Sequence, residues 1–223
     1  MIKDYFILNM VKKEVILVLG AHSDDFVIGA GGTIAKYAQE GKKIISVVFS
    51  YGESSHPWLK ESVVKKFRSK ETFSASKILD CKTYFFNLKE FNFYKDYKKD
   101  NLEKELLKII RKEKPTKIFT HSNEDPHPDH RSINKITLEL YEKIKFKPEL
   151  YIYSVWNPVS IKSKHPALYV NITKTFSIKL KALKTFKSQH IHISYPIFLL
   201  IFRAIKNGLK IRTLFGEKFY RIK

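Results

Sequence analysis

Short, dense apolar blocks alternate in this chain with longer stretches whose apolar positions recur every third or fourth residue. Val15 to Leu19 is an aliphatic run closed by Gly20, the pattern of a strand buried on both faces. Ile28 to Glu40 carries apolar residues at helical spacing and stops at Gly41. Ile44 to Phe49 predicts a second strand, Ser62 to Leu79 a long helix, and Lys82 to Leu88 a third strand. Leu102 to Lys112 predicts a helix with Leu106, Leu107 and Ile110 inward, closed by Pro115. A strand over Lys117 to Thr120, a helix over Ser132 to Lys145 and a strand over Leu150 to Tyr153 continue the series. Beyond Tyr153 the pattern fades into two helical stretches, Lys174 to Ser188 and Tyr195 to Gly208.

Strands that alternate with helices imply a parallel sheet covered on both faces. The fold class is therefore α/β, a Rossmann-like three-layer sandwich with a mostly parallel sheet. In such sheets the ligand crevice lies beyond the carboxyl ends of the strands. "AHSDD" follows the first strand and "HSNEDPHPDH" the fourth, so both polar clusters are expected at one edge. Gly29, Gly31 and Gly32 open the first helix, but Ile34 stands where a dinucleotide fingerprint needs its third glycine, and no acid closes the second strand. Their expected use is backbone room for the helix to pack closely.

At 223 residues the chain fits one domain, 1–223, with a sizeable core and no need of disulfides. Its single cysteine, Cys81, suits a reducing compartment. Lys3, Asp4, Lys12, Lys13 and Glu14 break up the apolar N-terminal stretch, which is a poor signal peptide. Tyr195 to Phe202, the longest apolar run, is far short of the roughly 20 residues that span a bilayer. A cytoplasmic protein is expected. The net charge of +20 raises attraction to an anionic partner. The basic residues read as scattered over polar helix faces, so generic surface charge is preferred to nucleic-acid binding. The nucleic-acid reading also leaves the two acid-histidine loops unexplained.

Those loops combine imidazoles and carboxylates, His22, Asp24 and Asp25 in one and His127, Asp129 and His130 in the other. Adjacent carboxylates in a crevice call for a cation or a shared proton. A catalytic zinc wants three protein ligands and an open position, which two His and one carboxylate satisfy, and another divalent transition metal fits the same donors. The remaining acid is then free as a base. Taken singly, each loop has a plainer reading, an Asp as helix N-cap and His-Pro-Asp-His as turn chemistry. His121 at the end of the fourth strand and Glu53 in the loop after the second are pocket-wall candidates; His56, His165, His190 and His192 show no partner pattern.

"AHSDD" and "HPDH" resemble the paired signatures of the PIG-L/LmbE-like zinc-dependent N-acetylglucosaminyl deacetylases. "FRSKETFSASKILD" is similar to the family's Arg-x-x-Glu helix, "KSQ" to its Ser-Gln element and "GEKFY" to its closing Ala-Glu-x-Phe. The resemblance implies that His22, Asp25 and His130 bind Zn2+ and that Asp24 is the general base. It implies that His127 stabilises the oxyanion or donates a proton with Asp129 holding its ring, and that Arg68, with Glu71 as helix neighbour, contacts substrate hydroxyls. Ser23 stands in place of the motif proline, Phe26 in place of a frequent acid and Phe186 in place of a frequent histidine. The implied substrate is a small N-acetylated sugar or sugar conjugate, free, anionic or lipid-linked, and the products are the free amine and acetate. A metal-dependent amidase on another amide is the alternative. The positive balance favours an anionic carrier. "YPIFLLIFRAIKNGLKIR" carries an apolar face flanked by Arg203, Lys206, Lys210 and Arg212, the pattern of a core helix, of a homo-oligomer contact or of a peripheral membrane contact.

Overall fold

The structure, a computed structural model, describes residues 13–156, 165–189 and 197–223. Its centre is β1, Val15–Gly20, whose side chains alternate between two apolar clusters. Ile16 and Val18 enter the cluster built with α1 (Asp25–Gln39), α2 (Glu61–Ile78), α6 (Phe176–Leu183) and α7 (Ile197–Leu209). Val15, Leu17 and Leu19 enter the opposite cluster, built with α3 (Phe93–Lys99), α4 (Leu102–Glu113) and α5 (Pro128–Glu142). The result is the expected three-layer α/β sandwich.

The remaining strands are β2 (Lys43–Val48), β3 (Cys81–Phe85), β4 (Lys117–His121), β5 (Glu149–Tyr153), β6 (Ala167–Asn171) and β7 (Gly216–Arg221). They lie in the order β3-β2-β1-β4-β5-β7-β6. The first five pair in parallel, and β7 runs antiparallel to both of its neighbours. The chain leaves β1 toward β2 and β3, then returns to β4 on the other side of β1. This reversal makes the carboxyl ends of β1 and β4 the switch point of the sheet, where the crevice belongs.

Several boundaries differ from the hydrophobic pattern, most usefully at two helix starts. The pattern begins the first helix at Ile28, but α1 starts at Asp25. It begins the helix after β4 at Ser132, but α5 starts at Pro128 with His127 as N-cap. Proline at the first helical position has no N–H to lose and a fixed φ suited to the turn. Both acid-histidine motifs therefore sit at helix N-termini, in rigid first turns. α3, β6 and β7 lie in segments where the periodicity predicts no element: α3 is only seven residues, and the two strands carry mixed polarity.

The glycines of α1 give the close packing expected of them. A Cβ on Gly29 would lie 2.2 Å from the Tyr153 ring, and one on Gly32 would lie 2.6 Å from Ile172. A buried ion pair also reaches the helix there. Glu217 accepts from the N–H groups of Gly32 (3.0 Å) and Thr33 (2.7 Å), while Lys179 Nζ donates to Ile28 O (2.7 Å) and to Glu217 Oε1 (2.6 Å). Burial pulls the Lys179 pKa down against the attraction of Glu217. Removing one member of a buried pair strands the other charge, so Glu217→Ala is expected to lose about 3–5 kcal/mol of unfolding free energy. Urea denaturation checks this; a loss below 1 kcal/mol would show that the pair is not what fastens β7 to α1.

Candidate functional site

The loop after β1 and the first turn of α1 carry His22, Asp24 and Asp25; the end of β4 and the first turn of α5 carry His121, Asp125, His127, Asp129 and His130. Two backbone contacts set their geometry: His22 N–H donates to Asp25 Oδ2 (2.7 Å), and Ala21 N–H donates to His121 Nε2 (2.9 Å). Asp25 is 2% exposed and His130 fully buried.

Asp25 Oδ2 stands 3.4 Å from His22 Nδ1 and 3.3 Å from His130 Nε2. Donor atoms bound at about 2.0–2.1 Å in a tetrahedral zinc site lie about 3.3 Å apart, and both separations from Asp25 match that. The donors that lie close enough together to hold one metal overlap this set without coinciding with it, His22 with His127 and His130, and Asp25 with His121 and His130. The outer nitrogens of both rings rest on carboxylates, His22 Nε2 at 3.2 Å from Asp129 Oδ2 and His130 Nδ1 at 2.9 Å from Asp125 Oδ1. Carboxylate partners of this kind fix ring orientation in metal-binding histidines. Both nitrogens of buried His130 lie against carboxylates without a well-aligned hydrogen bond, and a metal on Nε2 would remove that cost on the side of Asp25. His121 Nε2 is also 3.3 Å from Asp25, and Asp25, His121 and His130 are grouped closely enough for a metal. Its lone pair, however, already accepts the Ala21 N–H. The sequence marks His121 only as a wall candidate; the structure places it as a support, stacked on His130 with ring centroids 4.0 Å apart.

Burial and the neighbouring charges pull in opposite directions on these groups. Burial pulls the His22 pKa down, but its contacts with Asp129 and Asp25 prevail and hold it near 10. His130 follows the same logic, burial opposed by Asp25 and Asp125, and is held near 9. For Asp25, burial raises the pKa, and the imidazoles of His130 and His121 override this and hold it well below the carboxylate range. Burial and the repulsion of His130 take His121 down to about 4. A metal entering here displaces protons, and its affinity falls as pH falls.

Asp24 occupies the N-cap of α1, yet its side chain caps no backbone N–H. Its carboxylate faces Arg68 Nη2 at 3.8 Å. Burial raises its pKa, Arg68 lowers it, and Asp25 raises it again, leaving it above the ordinary value. Arg68 is 2% exposed with Nη1 lacking a partner. Gly52, at φ +75°, passes so close that a Cβ would lie 2.8 Å from Arg68 Nη2. Ser23, in place of the motif proline, donates from Oγ to Tyr51 O (3.0 Å) and accepts from Arg68 Nε (3.5 Å), tying the loop to β2 and α2.

His127 Nδ1 accepts the Asp129 N–H (3.2 Å), so the neutral ring carries its proton on Nε2. Burial and the nearby His22 and His130 hold its pKa down. The Asp129 carboxylate is 4.0 Å from that ring and binds elsewhere, accepting from Phe91 N–H at 2.9 and 3.1 Å and facing His22. The ring of His127 is thus held by the backbone N–H of Asp129, with the carboxylate of the same residue 4.0 Å from its Nδ1.

These groups open into a cleft of about 150 Å³, lined among others by His22, Asp24, Arg68, Glu90, Trp156 and Gln189. A larger groove of about 560 Å³ lies at the far end of α1, where Lys36, Glu40 and threonines line it without a histidine or a second carboxylate. Glu90, Asp125 and Trp156 escape the sequence motifs. Glu90 Oε1 is 3.5 Å from His22 Nε2, and Asp125 Oδ2 accepts the Trp156 N–H (3.3 Å). The repeated acids within "HSNEDPHPDH" are the only trace of Asp125 in the sequence. Glu71 accepts from Ser188 N–H (2.8 Å) and Oγ (2.6 Å), which fixes the Ser-Gln element so that Gln189 reaches the cleft and Ser55. Phe26 and Phe186 are both core residues, so these two departures change packing and not the lining of the cleft. Glu53 is buried and accepts from Ser50 Oγ (3.0 Å). His56 packs against Trp58 and Phe67. His190 and His192 lie outside the described residues.

The model of one family, described as GlcNAc-PI de-N-acetylase, matches residues 17–141, more than half of the chain. The chain belongs to the PIG-L family. Among PIG-L relatives, 4-oxalmesaconate hydratase of Pseudomonas putida is 30% identical over 192 residues, covering 78% of this chain and 73% of the relative. Diacetylchitobiose deacetylase of Thermococcus kodakarensis is 26% identical over 202 residues, 81% of this chain and 71% of the relative. The structure of N,N'-diacetylchitobiose deacetylase from Pyrococcus horikoshii superposes with a TM-score of 0.79 at 26% identity, covering 94% of this chain and 84% of that one. The PIG-L match spans β1 through α5, the segment that holds both acid-histidine turns.

Proposed function

We propose that this chain is a zinc-dependent N-deacetylase that hydrolyses the acetamido group of an N-acetylglucosamine-type sugar in the cytoplasm. His22, Asp25 and His130 are the metal ligands, Asp24 the general base, His127 the donor to the oxyanion and Arg68 a contact for sugar hydroxyls. The observation that carries this reading is the Asp25 carboxylate at 3.3–3.4 Å from two imidazole nitrogens whose far sides rest on Asp129 and Asp125.

When bound, zinc supplies a Lewis acid for the acetyl carbonyl and lowers the pKa of water toward about 7. Asp24 takes a proton from the attacking water; burial and Asp25 raise its pKa toward the range of an effective base despite Arg68. The same carboxyl then protonates the departing nitrogen as the C–N bond breaks, leaving acetate and the free amine. His127, neutral and protonated on Nε2, donates to the oxygen that gains charge, a contribution of about 3–4 kcal/mol in comparable sites. Asp129 and Asp125 hold the ligand rings and take no part in proton transfer.

The lining of the cleft supports a neutral sugar. Asp24, Asp25 and Glu90 face it, against Arg68 alone among the described lining residues. One divalent cation brings that set near neutrality, with no surplus positive charge for an anionic substrate. The overall +20 is therefore a poor guide to the substrate. Arg68, Gln189 and Glu90 suit hydroxyls, and Trp156, 39% exposed at the mouth, offers an aromatic face to a pyranose ring. Trp156→Ala is expected to raise KM about 3- to 10-fold with kcat nearly unchanged, the effect of a lost stacking contact. Steady-state kinetics on a soluble N-acetylglucosamine glycoside measure it.

A hydratase also activates water, so the 30% identity with the Pseudomonas putida hydratase is compatible with the same base and ligands. The lack of surplus positive charge in the cleft is what disfavours a polycarboxylate. Assaying one preparation against N-acetylglucosamine glycosides and against unsaturated tricarboxylic acids separates the two. Acetate release supports the deacetylase; loss of the conjugated absorbance of the acid, without acetate, would replace it with hydration.

A further inference from the structure

α7 shows apolar residues on two sides. Leu200, Ala204 and Gly208 are buried. Phe198, Phe202, Ile205 and Leu209 follow one another at intervals of four, three and four, which aligns them along one side of a helix. They are 67%, 62%, 36% and 70% exposed. Lys206 and Lys210 come next around the helix and are exposed as well.

The stretch of sequence that holds this stripe is one-sided in charge. Between Glu149 and Glu217 the chain has no Asp or Glu, while eleven Lys and Arg fall there, more than half of the net +20. The basic residues themselves are spread along the whole chain, but the net positive charge is concentrated where acids are missing. α6 packs into the same core cluster as α7 and adds exposed Lys181 and Lys184. No helix among the described residues is long and apolar enough to cross a membrane.

A second copy of this chain would bring like charge against like charge. A nucleic acid would meet the cations but would leave the row of Phe, Ile and Leu without a seat. An anionic lipid surface satisfies both features, apolar side chains entering the boundary between headgroups and acyl chains while Lys and Arg meet the headgroups. We propose that α7 docks this protein on an anionic membrane surface. Docking is independent of the reaction assigned above, but it bears on where the cleft faces. The Arg203 guanidinium donates to Ser154 O (3.0 Å) and Val155 O (3.1 Å), one and two residues before Trp156 at the cleft mouth. α7 is thus tied directly to the strand end that leads into the cleft.

Sedimentation of the full chain with vesicles tests this, using phosphatidylcholine alone and an equimolar mixture with phosphatidylglycerol. The chain is expected to sediment with the mixed vesicles and not with the neutral ones. Binding is expected to fall about tenfold or more in Phe198→Ser/Phe202→Ser and in Lys206→Glu/Lys210→Glu, and to weaken with salt. All four positions are exposed, and thermal melting verifies that both variants remain folded. Failure of the unaltered chain to bind the mixed vesicles would overturn the proposal, as would undiminished binding by the phenylalanine variant. A dimer in sedimentation velocity that the phenylalanine variant abolishes, without vesicle binding, would assign the stripe to a second copy instead.

Discussion

Asp24→Asn is expected to lower turnover by about 100- to 10,000-fold, the usual contribution of a positioned acid-base group, and to leave the metal content of the protein unchanged. The amide keeps the size of the carboxylate but cannot take a proton from water. Asp24 is separated from the ligand set by its own geometry: its partner is Arg68 at 3.8 Å, and its side chain caps no helix N–H. The variant therefore leaves His22, Asp25 and His130 in place. Burst-free steady-state rates, read beside metal analysis of the same sample, check both halves. Turnover within threefold of the unaltered enzyme would remove Asp24 from the role of base.

His130→Ala is expected to abolish metal binding and activity together. His130 is the buried ring that contacts Asp25 through one nitrogen and Asp125 through the other, so its loss breaks the proposed ligand set and leaves both carboxylates without this partner. Asp125→Asn keeps all three ligands but weakens the hold on the ring, and metal affinity drops about 10- to 100-fold. Competition titration with a metal indicator dye distinguishes the two variants. Stoichiometric zinc in His130→Ala would move the metal to another of the overlapping groups, such as His22, Glu90 and Asp129.

The parallel half of the sheet was legible in the sequence because β1, β2, β4 and β5 are apolar enough to be buried on both faces, the edge strand β3, only partly buried, leads into a run of aromatic residues, and each crossover carries helical periodicity. The two acid-histidine turns were legible for the same reason, since their spacing after β1 and β4 places them at one edge. The helix starts were harder. "HPDH" reads as a turn because of its proline, yet Pro128 begins α5, with the Asp129 N–H bonded to the ring of His127. β6 and β7 could not be read from alternation, since Glu217 and Lys218 interrupt β7 and the carboxylate of Glu217 is turned inward to meet α1 and Lys179. Asp125 and Glu90 reach the site through the tertiary fold, not through a motif. Glu90 in particular comes from the segment before α3, a helix too short to announce itself by periodicity.

Acetate release by a single preparation, first stripped by chelator and then reloaded with one equivalent of zinc, tests the central claim most directly. With an N-acetylglucosamine glycoside as substrate, the stripped protein is expected to be inactive and the reloaded protein to release acetate and free amine in equal amounts. A reloaded protein that holds zinc and releases no acetate from any N-acetylated sugar, or a stripped protein that releases it undiminished, would contradict the account.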